Sequence, residues 1–381
     1  MGKQQIMTLV GNGFDISVLK KYGKGVTTSY QTFYSFFKFI NGEDCNNFFI
    51  EQMKEAKDKD EPDWSDFEAL LAKNIENITS KDSEKIKQLN NDLKEIQHCF
   101  ARFLNEVVDS DIINKLSNAT SVDIDCGKWG EITYPERSYT CFLGDLSCEQ
   151  YKKCKFHNRI DHGEQLKYIF IDFNYTSLLD NYLYLDKDIF SPEPYYTSDN
   201  NINFITNPKE YDGHCTIEMR RSFLNASCKM LPVDIYHPHG YQDIPKSLLF
   251  GTESLECDKV KDERRTFIKS YWARDEERYA DKFKETSLFI VYGCSLGSSD
   301  SWWWNKIYER LLDEDFAELF IYNYENLNRD SVIKKFMNGC GKESMTSDEY
   351  DKIAEHIFII DFGDNNDDIV FLQLPELPSD Y

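Results

Sequence analysis

Seven apolar runs of strand length, separated by wide intervals, constrain the fold of this chain more than any other feature. They are Ile6–Val10, Tyr168–Phe173, Asp234–His237, Leu248–Phe250, Leu288–Tyr292, Glu318–Tyr322 and Ile357–Phe362. Most are continuously apolar rather than alternating, which is typical of strands buried on both faces of a parallel sheet. Helical patterns lie between several of them. The sequence therefore predicts one α/β domain over residues 1–381, with a doubly wound, mostly parallel, Rossmann-like sheet.

Three segments interrupt this pattern. Apolar residues at helical spacing predict a helical insertion over residues 43–118, after the first strand, which caps one end of the sheet. Within it, Pro62 and Asp63 would open a helix that carries Trp64 and Phe67. Residues 119–165, rich in cysteine, glycine and aromatic residues, and residues 185–232 are predicted to be irregular insertions.

Charge and cysteine usage narrow the class of protein. A formal net charge of −23 opposes binding to nucleic acid, whose affinity comes mostly from Lys and Arg on phosphate. The 11 cysteines include no C-x-x-C pair, and no signal peptide precedes the first strand, so we expect reduced thiols in the cytoplasm. No apolar stretch approaches the ~20 residues needed to span a membrane.

A glycine-rich turn follows the first run, in the order Gly11, Asn12, Gly13, Phe14, Asp15. Glycines let the backbone approach a diphosphate closely, and the start of the following helix offers free N–H groups to it. The third glycine of the dinucleotide fingerprint is missing. The same residues are therefore also compatible with a tight strand-to-helix turn that binds nothing.

Two further runs end in polar side chains. Asn174 would lie at the carboxyl edge of the sheet, where α/β proteins bind ligands, although an isolated Asn is also a common turn residue. His239 precedes Gly240, a good position for a general base beside an approaching substrate. His237 lies within its strand and is better explained as a core residue. No third ligand at a telling spacing accompanies this pair, so no metal is expected there.

The run ending at Tyr292 repeats the strand-glycine pattern. Gly293 and Ser295 follow it and would contact a ribose or phosphate, while Asp300 precedes the next helix and is also a natural N-cap. A structural zinc is not expected from the remaining group of metal-like residues, because their spacings are irregular: Cys141, Cys148, Cys154, His157 and His162.

Taken in order, these motifs resemble the AbiH-type phage abortive-infection proteins. The pattern comprises Gly-Asn-Gly-Phe-Asp at 11–15, Thr28-Ser29-Tyr30 with Phe33, Trp64-x-x-Phe67-Glu68, Phe173-Asn174-Tyr175-Thr176, His239-Gly240, and Gly-x-Ser-Leu from Gly293 with the later Asp300. The order of a Gly-x-Gly turn, a strand-end Asn, His-Gly and Gly-x-Ser is also similar to the sirtuin-type NAD-binding fold.

The resemblance implies a sirtuin-like sheet that takes NAD as substrate or ligand. By this similarity Asn174 contacts the nicotinamide ribose and His239 is the general base. The remaining predicted contacts to the cofactor are Gly11, Asn12, Gly13, Asp15, Thr176, Gly240, Gly293, Ser295 and Asp300. Sirtuin deacylases carry two C-x-x-C pairs for zinc, which this chain lacks, and this argues against protein deacylation.

Three functions remain open at this point. The leading hypothesis is an antiphage effector that hydrolyses NAD, or a related nucleotide, at the N-glycosidic bond, with Trp64 and Glu68 of the helical insertion closing over the site. The second is a non-catalytic nucleotide-binding sensor or scaffold, and the third is a nuclease or RNA-directed toxin. The expected partners are the nucleotide, a phage-derived trigger and a second copy of the chain, but no membrane and no nucleic acid.

Overall fold

A computed structural model of the chain describes residues 3–42, 46–61, 67–76, 83–127, 130–183, 201–211, 224–231, 233–252, 263–313, 317–342, 346–363 and 369–378. They form a mixed α/β fold around a central sheet. The strands are β1 (Lys3–Val10), β2 (Ile124–Asp125), β3 (Glu131–Ile132), β4 (Gln165–Asp172), β5 (Asn201–Phe204), β6 (Ala226–Met230), β7 (Asp234–Tyr236), β8 (Thr286–Tyr292), β9 (Glu318–Asn323) and β10 (Ile357–Asp361).

Helices account for most of the remaining regular structure. In chain order they are α1 (Gly13–Tyr22), α2 (Tyr30–Asn41), α3 (Phe48–Asp58), α4 (Phe67–Glu76), α5 (Ser83–Val107), α6 (Ser110–Thr120), α7 (Tyr134–Thr140), α8 (Cys148–Lys153), α9 (Leu178–Leu183), α10 (Lys269–Ala273), α11 (Asp275–Glu285), α12 (Ser301–Asp313), α13 (Arg329–Gly339) and α14 (Ser347–Ala354). None of the helices in the described residues is long and apolar enough to cross a membrane.

The central sheet has the order β10-β9-β8-β1-β4-β6-β5. Strand β4 pairs with β6 through its first residues and with β7 further along its length. Its pairs are parallel except for β5 against β6. The chain places β4 on one side of β1 and later adds β8 on the other. The carboxyl ends of these three strands therefore meet where the strand order reverses, which is the usual position of a ligand cleft in an open α/β sheet.

Strand β1 shows why continuous apolar runs predict this sheet. Ile6 and Val10 pack into one hydrophobic core and Met7 and Leu9 into a second, and all four are fully buried. The first core contains residues of α1, α6 and α9, and the second contains residues of α11 to α14. Helices thus cover both faces, as the sequence predicted for most of the runs.

The structure corrects several of the predicted elements. Leu248–Phe250 is not a strand, and Thr252 forms an isolated bridge to Ile268. The segment 185–232, predicted to be irregular, contributes β5 and β6 to the sheet. The segment 119–165 contains α7, α8 and the β2-β3 hairpin. Trp64 lies outside the described residues.

The predicted helical insertion contains α3 to α6, and its helix α5 packs close to the carboxyl edge of the sheet. Phe100 of α5 contacts Tyr175, the residue after Asn174, with ring centroids 5.4 Å apart. Phe100 also packs edge-on against Phe250 at 5.3 Å, and Phe67 of α4 contacts the same ring at 5.4 Å. This aromatic layer explains why Leu248–Phe250 is apolar without being a strand, since Phe250 is buried against helices.

Candidate functional site

A cleft of about 570 Å³ opens at the carboxyl ends of β1, β4, β8 and β9. Ten of the residues predicted from the sequence line it: Gly11, Asn12, Gly13, Asp15, Asn174, Thr176, His239, Gly293, Ser295 and Asp300. Lys269 also lines the cleft and was not predicted from the sequence. Glu68 lines it as well, whereas the sequence placed Glu68 only in the helical insertion that closes over the site. A larger groove, of about 1170 Å³, follows the edge strand β10 and contains none of the predicted residues.

The two glycine turns pack directly against each other. The Gly13 amide donates to the carbonyl of Gly293 at 2.9 Å, and the Phe14 amide donates to the carbonyl of Gly11 at 3.1 Å. A Cβ atom at Gly13 would lie 2.6 Å from the Gly293 Cα, and one at Gly11 would lie 2.6 Å from the Gly293 oxygen. Glycine is therefore required here by contact between the turns. The Gly13 and Phe14 amides are already hydrogen-bonded within the protein.

Gly240 is explained by a turn rather than by a ligand. Its φ of +96° favours glycine, and a Cβ atom there would lie 2.0 Å from the carbonyl oxygen of Ser247. Gly240 is not among the residues that line the cleft. The turn geometry thus gives Gly240 a structural role beside His239, and its contact with the cofactor stays a prediction.

Asn174 connects two strand ends at the base of the cleft. Its Nδ2 donates to the Gly11 carbonyl at 3.2 Å and to Asp172 Oδ1 at 2.8 Å, and its backbone amide donates to the same oxygen at 3.0 Å. The side chain is buried, at 4% exposure. Asn174 thus borders the cleft, as predicted, and also fixes the first glycine turn relative to β4.

Two hydroxyl groups orient the polar residues of the first turn. Thr28 donates to Asn12 Oδ1 at 2.6 Å, and Thr176 donates to Asp15 Oδ2 at 2.8 Å. Burial raises the pKa of Asp15 to about 7, although the Thr176 hydrogen bond opposes the shift. Thr176 thus orients a buried carboxyl group, that of Asp15, at the cleft.

A buried ion network, which we name the His239 cluster, comprises Glu68, Lys269, His239 and Asp300. Lys269 Nζ lies 2.7 Å from Glu68 Oε1 and 3.1 Å from Asp300 Oδ1, and His239 Nε2 lies 3.3 Å from the same Asp300 oxygen. His239 also stacks on Phe173, with ring centroids 4.9 Å apart. Asp300 is therefore shared between a lysine and a histidine at the wall of the cleft.

Charge in the His239 cluster determines its pKa values. Burial would raise the pKa of Asp300, but Lys269 and His239 outweigh it and hold that pKa below its usual range. Burial and the charge of Lys269 lower the pKa of His239, against the opposing effect of Asp300. The imidazole consequently favours its neutral form more than an exposed histidine does.

A second group, the His237 cluster, comprises Asp15, Asp172, Asp180 and His237, of which Asp15 lines the cleft and the other three do not. His237 Nε2 lies 3.2 Å from Asp180 Oδ2, and His237 Nδ1 lies 3.8 Å from Asp172 Oδ2. Burial raises the pKa of Asp172 well above its usual range, although His237 opposes the shift. His237 is thus largely buried, as predicted, but its contacts are with carboxylates.

The cysteine-rich segment does not assemble a metal site in the part of the chain that the structure describes. His162 Nδ1 accepts a hydrogen bond from the Ser227 amide at 2.9 Å, and Cys154 lies 3.6 Å from Glu318. The eight described cysteines, including those of this segment, are all free thiols. Among described residues, the ligand atoms of Asp172, Asp180 and His237 are the group that converges.

The sheet and its cleft define an α/β protein with a polar ligand-sized site at the carboxyl edge of a mostly parallel sheet. Residues 7–322 match the family described as "Bacteriophage abortive infection AbiH". The match covers most of the chain, so the protein belongs to the AbiH family, and the predicted resemblance to that family is confirmed. Family membership points to a role in phage abortive infection. None of the curated proteins matches the chain.

Proposed function

We propose that this AbiH protein binds NAD, or a related nucleotide, in the cleft and hydrolyses its N-glycosidic bond. The observation that carries the proposal is the convergence of the turns after β1, β4 and β8 with His239 on one cleft. The cleft volume of about 570 Å³ lies within the ~300–1,000 Å³ typical of small-molecule sites. The similarity in motif order to sirtuin-type NAD-binding proteins supports the same ligand.

The proposed binding mode follows the three strand ends. The diphosphate lies beside the turn of Gly11 and Gly13, and the adenosine side lies towards Gly293 and Ser295, the latter exposed at the rim. The nicotinamide ribose then faces Asn174. Because Gly13 and Phe14 already use their amides, the first turn contributes close backbone approach and the dipole of α1 rather than a full cradle of N–H groups.

The proposed reaction is substitution at the anomeric carbon of the nicotinamide ribose. The bond to nicotinamide breaks, nicotinamide leaves with the electron pair, and an oxocarbenium-like carbon forms a bond to the oxygen of water. The proton lost by water passes to the pair of His239 and Asp300, and the products are ADP-ribose and nicotinamide. Helices α4 and α5 limit the access of bulk water to this side of the cleft.

A specific observation favours a second candidate, a nucleotide-binding sensor without turnover. Asn174 Nδ2 is used by Gly11 and Asp172, and His239 is only 6% exposed and held against Asp300. In that function both side chains maintain the shape of the cleft, and the bound nucleotide is not consumed. The two candidates share the binding site and differ in whether NAD is lost.

The test combines binding and turnover on the full-length chain. NAD loss is followed by chromatography and NAD binding by calorimetry, for the parent, Asn174→Ala, His239→Ala and His157→Ala. His157 is a matched control, because it is also buried and stacks on Tyr151 away from the cleft. Loss of a general base typically lowers the rate about a hundredfold to ten-thousandfold.

We therefore expect turnover by the parent and by His157→Ala, and little by the two cleft variants. Tight NAD binding by the parent without any NAD loss would instead identify the sensor. Absence of both binding and turnover for NAD and related nucleotides, in cells under phage infection as well as with the pure protein, would overturn the proposal.

A further inference from the structure

Three residues of the His237 cluster, Asp172, Asp180 and His237, do not line the cleft and have no role in the proposed reaction. Asp172 ends β4, His237 follows β7, and Asp180 lies on α9, so three separate elements bring these side chains together. Single ligand atoms from the three residues all lie within 4.8 Å of one another. We propose that Asp172, Asp180 and His237 bind a divalent metal ion of the Mn²⁺ or Zn²⁺ type.

Unpaired buried atoms point into this cluster. Asp172 is fully buried, and its Oδ2, which faces His237, has no hydrogen-bond partner. His237 Nδ1 and Asp180 Oδ2 also lack hydrogen-bond partners, although Asp180 Oδ2 lies 3.2 Å from His237 Nε2. A buried carboxylate oxygen without a donor is costly, so such atoms in one place suggest a ligand that supplies positive charge.

The charge balance supports a cation rather than another kind of ligand. Asp15, from α1, adds a third carboxylate, and its Oδ1 is buried and unpartnered as well. In the described part of the chain, no Lys or Arg lies within ion-pair distance of Asp15, Asp172 or Asp180. One imidazole, even when protonated, does not balance three carboxylates. A divalent ion bound by the neutral imidazole would offset two of the three negative charges.

The donor set selects the kind of ion. Imidazole nitrogen suits Zn²⁺ and other transition metals, while carboxylate oxygens also suit Mn²⁺. A site with one histidine and two aspartates combines both preferences, and waters complete the coordination. Asp180 is 32% exposed, which leaves a route for the ion from solvent.

Through its contact with Asp172, a bound ion would help to position Asn174 at the cleft. Asp172 Oδ1 accepts two hydrogen bonds from Asn174, and Asn174 in turn donates to Gly11 at the cleft. A metal on Asp172 Oδ2 would fix that carboxylate and, through it, Asn174. The proposed site does not depend on the identity of the nucleotide, so the two proposals can fail separately.

The test uses Mn²⁺ alone with the chelator-washed full-length chain. Mn²⁺ is the better probe because the free thiols of this chain would bind Zn²⁺ non-specifically. Free Mn²⁺ is measured by electron paramagnetic resonance during a titration of the parent, Asp180→Asn, His237→Gln and Asp281→Asn. Asp281 is the matched control, since it is an exposed acid paired with Lys284.

We expect stoichiometric binding by the parent and by Asp281→Asn. Loss of a ligand should weaken binding at least as much as loss of an outer-shell partner, which costs about 10–100-fold. Thermal melts of the same proteins check folding: Mn²⁺ should raise the Tm of the parent and of the control but not that of His237→Gln. No saturable binding by the parent, or equal binding by all four proteins, would overturn the proposal.

Discussion

His237 and His239 are two residues apart in sequence, yet they belong to clusters with different charge balance. In the His239 cluster, Lys269 lies between Glu68 and Asp300, so each buried charge has a partner. In the His237 cluster, the carboxylates of Asp15, Asp172 and Asp180 face a single imidazole. The segment after β7, which carries both histidines, thus lies between a cluster whose carboxylates pair with a lysine and a cluster whose carboxylates face an imidazole.

The pKa values of the two histidines are shifted in opposite directions. Burial lowers the pKa of both, but at His237 the hydrogen bond to Asp180 and the charge of Asp172 outweigh burial and raise the pKa. At His239 the positive charge of Lys269 reinforces burial, and the pKa is lowered. Neighbouring charge, rather than burial or position in the chain, therefore distinguishes the two side chains.

The contrast between the two clusters is tested most directly at Lys269, whose side chain is 4% exposed. Lys269→Met keeps most of the volume but leaves Glu68 and Asp300 without their cation. We expect a loss of about 3–5 kcal/mol in the free energy of unfolding, as for other broken buried ion pairs. Urea denaturation measures it. Lys284→Met, which breaks the exposed pair with Asp281, is the control and should change the free energy of unfolding far less, because water screens this pair. Equal effects of the two substitutions would contradict the assignment of a buried network.

A second substitution tests the backbone contact that both clusters border. Gly13→Ala places a Cβ atom 2.6 Å from the Cα of Gly293, and backbone cannot move aside as a flexible side chain can. Overpacking of this kind typically costs about 1–3 kcal/mol. Gly144→Ala is the matched control, because its Cβ atom would meet its nearest neighbour, Pro208, at 3.4 Å. If thermal melts show Gly13→Ala to be as stable as Gly144→Ala, glycine at 13 serves the ligand rather than the turn.

The sequence predicted those strands whose own residues form a continuous apolar run. Strands β1, β4, β8, β9 and β10 are continuous apolar runs because both of their faces are buried. Strand β6 alternates buried and exposed residues over five positions, and β5 has only four residues, so neither was distinguished from irregular chain. Tertiary contact with helices, not sheet pairing, accounts for the apolar run at Leu248–Phe250.

The candidate site was predictable only where its residues follow strands. Gly11, Asn174 and Gly293 end apolar runs, and parallel strands bring such ends to one edge. Lys269 belongs to no recognisable motif, and its partner Glu68 is 201 residues away in sequence. Asp180 and His237 are 57 residues apart. Contacts at these separations depend on how the helices pack, which local sequence patterns do not specify.

The smallest expected effect is that of a substitution at Asp172, which tests the charge balance of the His237 cluster. Asp172→Asn retains the oxygen that accepts both hydrogen bonds from Asn174. It removes a buried carboxylate that faces the His237 imidazole and, among the described residues, has no Lys or Arg at ion-pair distance. In chelator-treated protein we expect urea denaturation to show a stability change within about 1 kcal/mol of the parent, with stabilisation more favoured than loss. The same substitution should abolish any gain in Tm on addition of Mn²⁺, because an amide is a poorer ligand than a carboxylate. A loss as large as that of Lys269→Met would show that Asp172 is already compensated by a positive group, and the contrast between the two clusters would not hold.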